Sequence, residues 1–219
     1  MVLFFKSSNP AYIIYMGKDK FENEDLIKWG LPIDIWFHVE DLSSAHVYLR
    51  LPEGETIENV PKDVLLECVQ LVKDNSRDGR KKDKVNVVYT PWENLKKTSS
   101  MDVGEVGYKN ESNVKTVYGI EKDKETLKRL NKTMEEKQVD FEKEKESYFL
   151  EVTNKKKKFF EDKKKKEVED AKKYKEMMKD KTYSFMDEIG EMSTNKVRKF
   201  KVINIFQKFW INFKLFEIL

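Results

Sequence analysis

Between residues 34 and 50 apolar and polar positions alternate one for one. In Asp34-Ile35-Trp36-Phe37-His38-Val39, the side chains of Ile35, Phe37 and Val39 fall on one side and Asp34, Trp36 and His38 on the other. In Ser43-Ser44-Ala45-His46-Val47-Tyr48-Leu49-Arg50, Ala45, Val47 and Leu49 oppose His46, Tyr48 and Arg50 in the same way. A period of two is the signature of a half-buried strand. A hairpin that sets His38 opposite His46 also sets Trp36 opposite Tyr48, Asp34 opposite Arg50, Phe37 opposite Val47 and Ile35 opposite Leu49. One register then serves an apolar face, an aromatic pair and a cross-strand ion pair together.

The flanking pattern supplies further elements. Residues 2–6 and 12–16 read as strands joined by the turn residues Ser7, Ser8, Asn9 and Pro10. Asn23 can cap a short helix that runs to Trp29, with Gly30 and Pro32 as its stop signals. Pro61 opens a second helix, in which Val64, Leu65, Cys68, Leu71 and Val72 make an apolar stripe for the sheet. A buried strand over 85–89 stops at Thr90-Pro91, and residues 106–109 and 114–120 are the last strands. The domain is expected to end near Ile120. The fold class is therefore α+β, a mostly antiparallel sheet packed by helices.

After Ile120 the pattern changes. Leu127, Met134, Phe141 and Tyr148 recur at seven-residue spacing, and Leu130 fits the second seam. The next positions of that seam are Lys137 and Glu144, so a dimeric coiled coil is poorly supported. The expectation is one long, solvated, charged C-terminal helix over 121–190, which could also dock a protein partner. Residues 155–158 and 163–166 are two four-lysine blocks, either a solvated face or a weak site for phosphates or an anionic membrane. In the tail, 191–219, Val202, Phe206, Phe209, Phe213 and Phe216 would line one side of a helix. The interspersed Asn, Gln, Lys and Glu make it too polar to span a membrane. It could lie on a membrane surface or meet a partner, or it is a gene-model artefact.

Charge sharpens this division. Charged residues are 38% of the chain, too many for one compact globule of this length. Residues 1–120 hold 16 Lys+Arg against 19 Asp+Glu, net −3, and residues 121–219 hold 27 against 21, net +6. The folded part is not basic overall, so attraction to a polyanion must come from a local patch or from the tail. Cys68 is the single cysteine, which excludes an internal disulfide, and it sits in an apolar helical stripe. The N-terminal stretch lacks the basic and apolar regions of a secretory signal, so a cytoplasmic or nuclear location is expected, with the plasma membrane as the alternative.

The second face of the hairpin carries the candidate chemistry. Trp36, His38, His46, Tyr48 and Arg50 offer flat rings beside a guanidinium, which base stacking and phosphate contact require. The alternative is that helices cover this face and its groups satisfy one another. His38 and His46 without a third closely spaced ligand fall short of a zinc site, and no nucleophile is marked. Lys18 and Lys20 at a loop-to-helix junction, and Trp92 with Lys96 and Lys97 at a strand end, could form the rim of such a surface. There is no phosphate-binding glycine loop and no catalytic motif, so neither an enzyme, a cofactor nor a small-molecule substrate is expected.

DIWFHV followed by SSAHVYLR, VNVVYTPWENLKKT, IYMGKDKFENEDLIKWG and MDVGEVGY together resemble the NFACT-R domain family. The resemblance covers about residues 1–120 and the charged region after them, and is nearest to the short stand-alone members. It implies an RNA-binding module, since the domain also occurs in large ribosome quality-control factors that bind ribosomal subunits and tRNA. The segment Thr98 to Gly104 lacks the proline of the corresponding loop in those factors. Resemblance to vertebrate members also implies DNA binding at the cell membrane. Nucleic acid is thus the expected partner, RNA favoured.

Overall fold

The computed structural model describes residues 1–191. In chain order the strands are β1 (Val2–Lys6), β2 (Ile13–Gly17), β3 (Asp34–Val39), β4 (Val47–Arg50), β5 (Val85–Pro91), β6 (Leu95–Lys96), β7 (Gly107–Tyr108), β8 (Lys115–Ile120) and β9 (Glu135–Lys137). The helices are α1 (Lys20–Trp29), α2 (Lys62–Asp74), α3 (Lys124–Lys132) and α4 (Phe141–Glu191). Seven strands form one antiparallel sheet in the order β8-β5-β3-β4-β2-β1-β9, and β6 and β7 make a separate short ladder. The fold is α+β.

The central hairpin has the register that alternation predicts, with Asp34 opposite Arg50, Ile35 opposite Leu49, Trp36 opposite Tyr48 and Phe37 opposite Val47. Its first face packs Ile35, Phe37, Val39, Val47 and Leu49 against the α2 stripe of Val64, Cys68, Leu71 and Val72. Leu65 is only partly buried at the margin of this cluster. Each large side chain that is fully withdrawn from water here contributes about 1.5–3 kcal/mol.

Helix α1 begins earlier than its sequence suggests. The Asp19 carboxylate accepts from Phe21 N at 2.8 Å and Glu22 N at 3.0 Å, so Asp19 is the cap. Asn23 is buried inside the helix instead. Gly30 ends it where the Trp92 indole packs, and a Cβ there would lie 2.3 Å from Trp92 Nε1, which only glycine avoids.

The sheet also continues past Ile120. Helix α3 buries Leu127 and Leu130, and β9 then pairs with β1, Val2 opposite Lys137 and Phe4 opposite Glu135. The expected unbroken helix from residue 121 is therefore split, because its first apolar positions face the sheet. Thr133 closes α3, its Oγ1 donating to Leu130 O at 2.8 Å and accepting from Lys6 N at 3.1 Å. The compact unit runs Met1–Thr153, and a second unit comprises Asn154–Leu219. In the second unit α4 continues to Glu191, with both four-lysine blocks exposed. The apolar-aromatic pattern from Val202 to Phe216 lies outside the described residues. Among the described residues no helix is long and apolar enough to cross a membrane.

Candidate nucleic-acid interface

The hairpin's second face is also covered. Leu26 of α1, Leu95 of β6, and Phe141 at the start of α4 close over Tyr15, Trp36 and Tyr48, with Trp92, Val106 and Tyr108 at the margin. Trp36 is 1% exposed, His46 3% and Tyr48 0%. Their rings meet one another. Tyr15 stacks on Phe4 and on Tyr48, with centroids 5.6 and 5.2 Å apart, and Trp36 lies parallel to His38 at 5.3 Å. The reading of Trp36, His46 and Tyr48 as an open recognition face is therefore corrected, because no ring face there is left for a base.

Most polar groups of this face answer each other, the Tyr48 hydroxyl excepted among the described residues. Trp36 Nε1 donates to His46 Nδ1 at 3.0 Å. Burial, with His38 beside it, pushes the His46 pKa down to about 3, so the ring is neutral and keeps Nδ1 free to accept. His38 is half-buried, donates Nδ1–H to Val39 O at 2.7 Å, and is likewise lowered by burial. Among the described residues no group of His, Cys, Asp and Glu is placed to hold a metal ion.

Arg50 is held from two sides. Its Nε donates to Asp34 Oδ1 at 2.9 Å and its terminal nitrogen to Glu144 Oε1 at 2.6 Å. Asp34 Oδ2 in turn accepts from Tyr15 Oη at 2.7 Å and Leu31 N at 2.8 Å. A ligand phosphate would have to displace carboxylates already in place, so the guanidinium braces the hairpin to α4.

The rim residues divide. Lys97 spends its ammonium on Glu24 Oε1 at 2.7 Å, Asp102 O at 2.6 Å and Glu105 O at 2.9 Å, which shapes the loop before β7. Lys18 is exposed and pairs with Glu136 at 2.7 Å. Lys20 is exposed, its ammonium 5.2 Å from the ring of the exposed Phe21. Lys96 is exposed on β6. Half-buried Trp92 donates Nε1–H to Ile27 O at 2.9 Å, with Lys145 Nζ 4.3 Å from a ring centroid. Lys145 also lies 5.8 Å from Trp29, over which Lys28 sits at 4.5 Å. Trp29, Lys28 and Lys145 were not legible as partners of Trp92, although the Lys28-Trp29 pair at the end of α1 repeats the aromatic-plus-lysine signal. Register sets Met16 opposite Val47 and Ile35 opposite Pro91. Lys18 and Lys20 therefore stand at one end of the sheet and Trp92 at the other.

Residues 1–110 match the family described as NFACT protein RNA binding domain. The chain is 53% identical over 199 residues to coiled-coil domain-containing protein 25 of Bos taurus, covering 90% of this chain and 96% of the bovine protein. It is 57% identical over 147 residues to the coiled-coil domain-containing protein 25 homolog of Dictyostelium discoideum, covering 67% and 71% of the two chains. A solved structure of the C-terminal part of a fibronectin/fibrinogen-binding protein from Streptococcus suis aligns at 21% identity with a TM-score of 0.49, over 58% of this chain and 48% of that one. The match of residues 1–110 defines the class as an NFACT RNA-binding-domain protein. Within that class the chain belongs to the coiled-coil domain-containing protein 25 family.

Proposed function

We propose that this protein is a non-enzymatic nucleic-acid-binding protein with RNA as its favoured ligand. The match of residues 1–110 to the NFACT RNA-binding domain carries this reading. The contacts belong to the outer edges of the unit, not to the buried hairpin face. Trp92 with Trp29 and Lys28 offers a stacking edge beside cations, Lys20 and Lys96 are exposed to meet phosphates, and Lys18 joins them by exchanging its Glu136 partner for one. Arg50 and Lys97 hold those edges in place, and the lysine blocks at 155–158 and 163–166 add sequence-independent attraction.

The test uses the full chain with labelled tRNA, single-stranded RNA and duplex DNA at low and high salt. Both RNAs are expected to bind more tightly than duplex DNA, with affinity falling steeply as salt rises. Trp92→Ala with Lys96→Ala should weaken RNA binding about tenfold, the lower range for one stacked base and one phosphate contact. Preference for duplex DNA would support a DNA-binding role instead, and no binding to any of the three overturns the proposal. A second reading is a protein adaptor, favoured by the exposure of Leu150, Phe159 and Phe160 on α4.

A further inference from the structure

The loop between α2 and β5 places five cations in eight residues. Arg77, Arg80, Lys81, Lys82 and Lys84 face only Asp78 and Asp83, a local charge of +3 within a region, 1–120, that sums to −3. Several cations elsewhere are answered by a carboxylate, Lys18 by Glu136, Lys115 by Glu58 and Lys122 by Asp74. In the loop Arg77 and Lys81 share Asp78 at 3.8 and 3.6 Å, and Lys84 pairs with Glu121 at 2.9 Å. Among the described residues Arg80 and Lys82 have no carboxylate partner.

The loop is built, not slack. Lys73 in the last turn of α2 is 1% exposed, and its ammonium donates to Lys82 O at 2.8 Å and Asp83 O at 3.1 Å. A buried ammonium is costly unless bonded, and here its bonds fix the backbone that displays the loop's cations. Burial lowers the Lys73 pKa. Ser76 Oγ donates to Ser43 O at 2.7 Å and accepts from Gly79 N at 3.0 Å, which ties the loop to the β3–β4 turn. Lys81 N and Lys82 N close a short 3₁₀ turn on the carbonyls of Asp78 and Gly79, and Arg80 N donates to Ser76 O. A Cβ at Gly79 would lie 2.8 Å from Ser76 Cβ, so the turn needs glycine.

We infer that this loop is a phosphate-contact surface for RNA, in which Arg77, Arg80, Lys81 and Lys82 meet the sugar–phosphate backbone. It rests on the nucleic-acid reading above and adds a surface that reading does not use. Arginines on a fixed backbone suit bidentate phosphate contact, and such contacts position the RNA without reading its sequence. The occupant is a polyanionic strand, because the loop offers several cations and no apolar group.

The test compares the full chain with Arg80→Ala/Lys82→Ala and with a control of equal charge, Lys62→Ala/Lys128→Ala, on α2 and α3. Binding of labelled tRNA is measured between about 50 and about 200 mM salt. The loop variant should lower affinity and make the slope of log K against log salt shallower by roughly 1.4–1.8, two phosphate contacts at 0.7–0.9 each. The control should leave the slope unchanged. If the loop variant keeps the wild-type slope while the wild type binds RNA, the loop inference fails and the nucleic-acid reading stands. If the wild type binds no RNA, both fail. If the loop variant loses binding to phosphatidylserine vesicles but not to tRNA, the surface serves a membrane and the inference is overturned.

Discussion

The two faces of the sheet are equally dry and chemically opposite. Phe37 on the first face is 0% exposed and Trp36 on the second is 1%. The first face is almost entirely hydrocarbon under α2 and α3 and needs only shape to be stable. The second interleaves Tyr15, Trp36 and Tyr48 with Asp34 and His46, and there each polar group requires a partner. Alternation thus reports which residues share a face, and says nothing about whether that face meets water.

The largest effect should come from breaking either face at its centre. Phe37→Ala and Asp34→Ala are each expected to cost about 3–5 kcal/mol in urea unfolding, the first by leaving a cavity and the second by leaving Arg50 with Glu144 alone of its two carboxylates and Tyr15 Oη and Leu31 N without their acceptor. If Asp34→Ala costs less than about 1 kcal/mol, the ion pair behaves as a solvated one and the second face is open after all.

The register was legible because it needs only local alternation: Asp34 meets Arg50 and Trp36 meets Tyr48 as the pattern requires. The cover was not legible because Leu26, Leu95, Tyr108 and Phe141 come from distant segments with no common motif. Helix α1 was misplaced because Asp19 and Asn23 are both capping residues, and only geometry decides which carboxylate or amide meets the free N–H groups. Strand β9 was invisible because Glu135-Glu136-Lys137 carries no strand pattern and forms on the backbone that β1 leaves unpaired. Lys96 and Lys97 are identical by composition, yet one is exposed and the other is locked by a loop that its neighbours build.

Acid should separate the faces next. The folded His46 pKa is about 3, below its ordinary value of 6.5, because burial, His38 and Lys97 all disfavour the charged ring. Above pH 6.5 the ring is neutral in both states and contributes no pH dependence. As pH falls from 6.5 toward 3, the unfolded chain takes up a proton that the folded chain refuses, so stability drops. The slope is about 1.4 kcal/mol per pH unit, or about 2 kcal/mol lost by pH 5. Urea unfolding at pH 7 and pH 5 should show that loss in wild type and in Phe37→Leu, and a loss smaller by that amount in His46→Gln. Equal losses in all three would mean that His46 takes up a proton in the folded state.

The smallest effect tests how completely the second face is answered. Tyr15 and Tyr48 stack with centroids 5.2 Å apart, both fully buried. The Tyr15 hydroxyl donates to Asp34 at 2.7 Å, while the Tyr48 hydroxyl has no hydrogen-bond partner among the described residues. Tyr15→Phe should therefore cost about 1.5–3 kcal/mol, the range for a bond to a charged acceptor. Tyr48→Phe deletes an oxygen that was stripped of water without compensation, so it should be neutral or stabilise by up to about 1 kcal/mol. Thermal unfolding of the two variants checks the contrast, because they remove the same atom from adjacent, parallel rings. If Tyr48→Phe is as destabilising as Tyr15→Phe, the hydroxyl is bonded to an ordered interior water. The second face would then contain solvent, and its difference from the first would extend from chemistry to hydration.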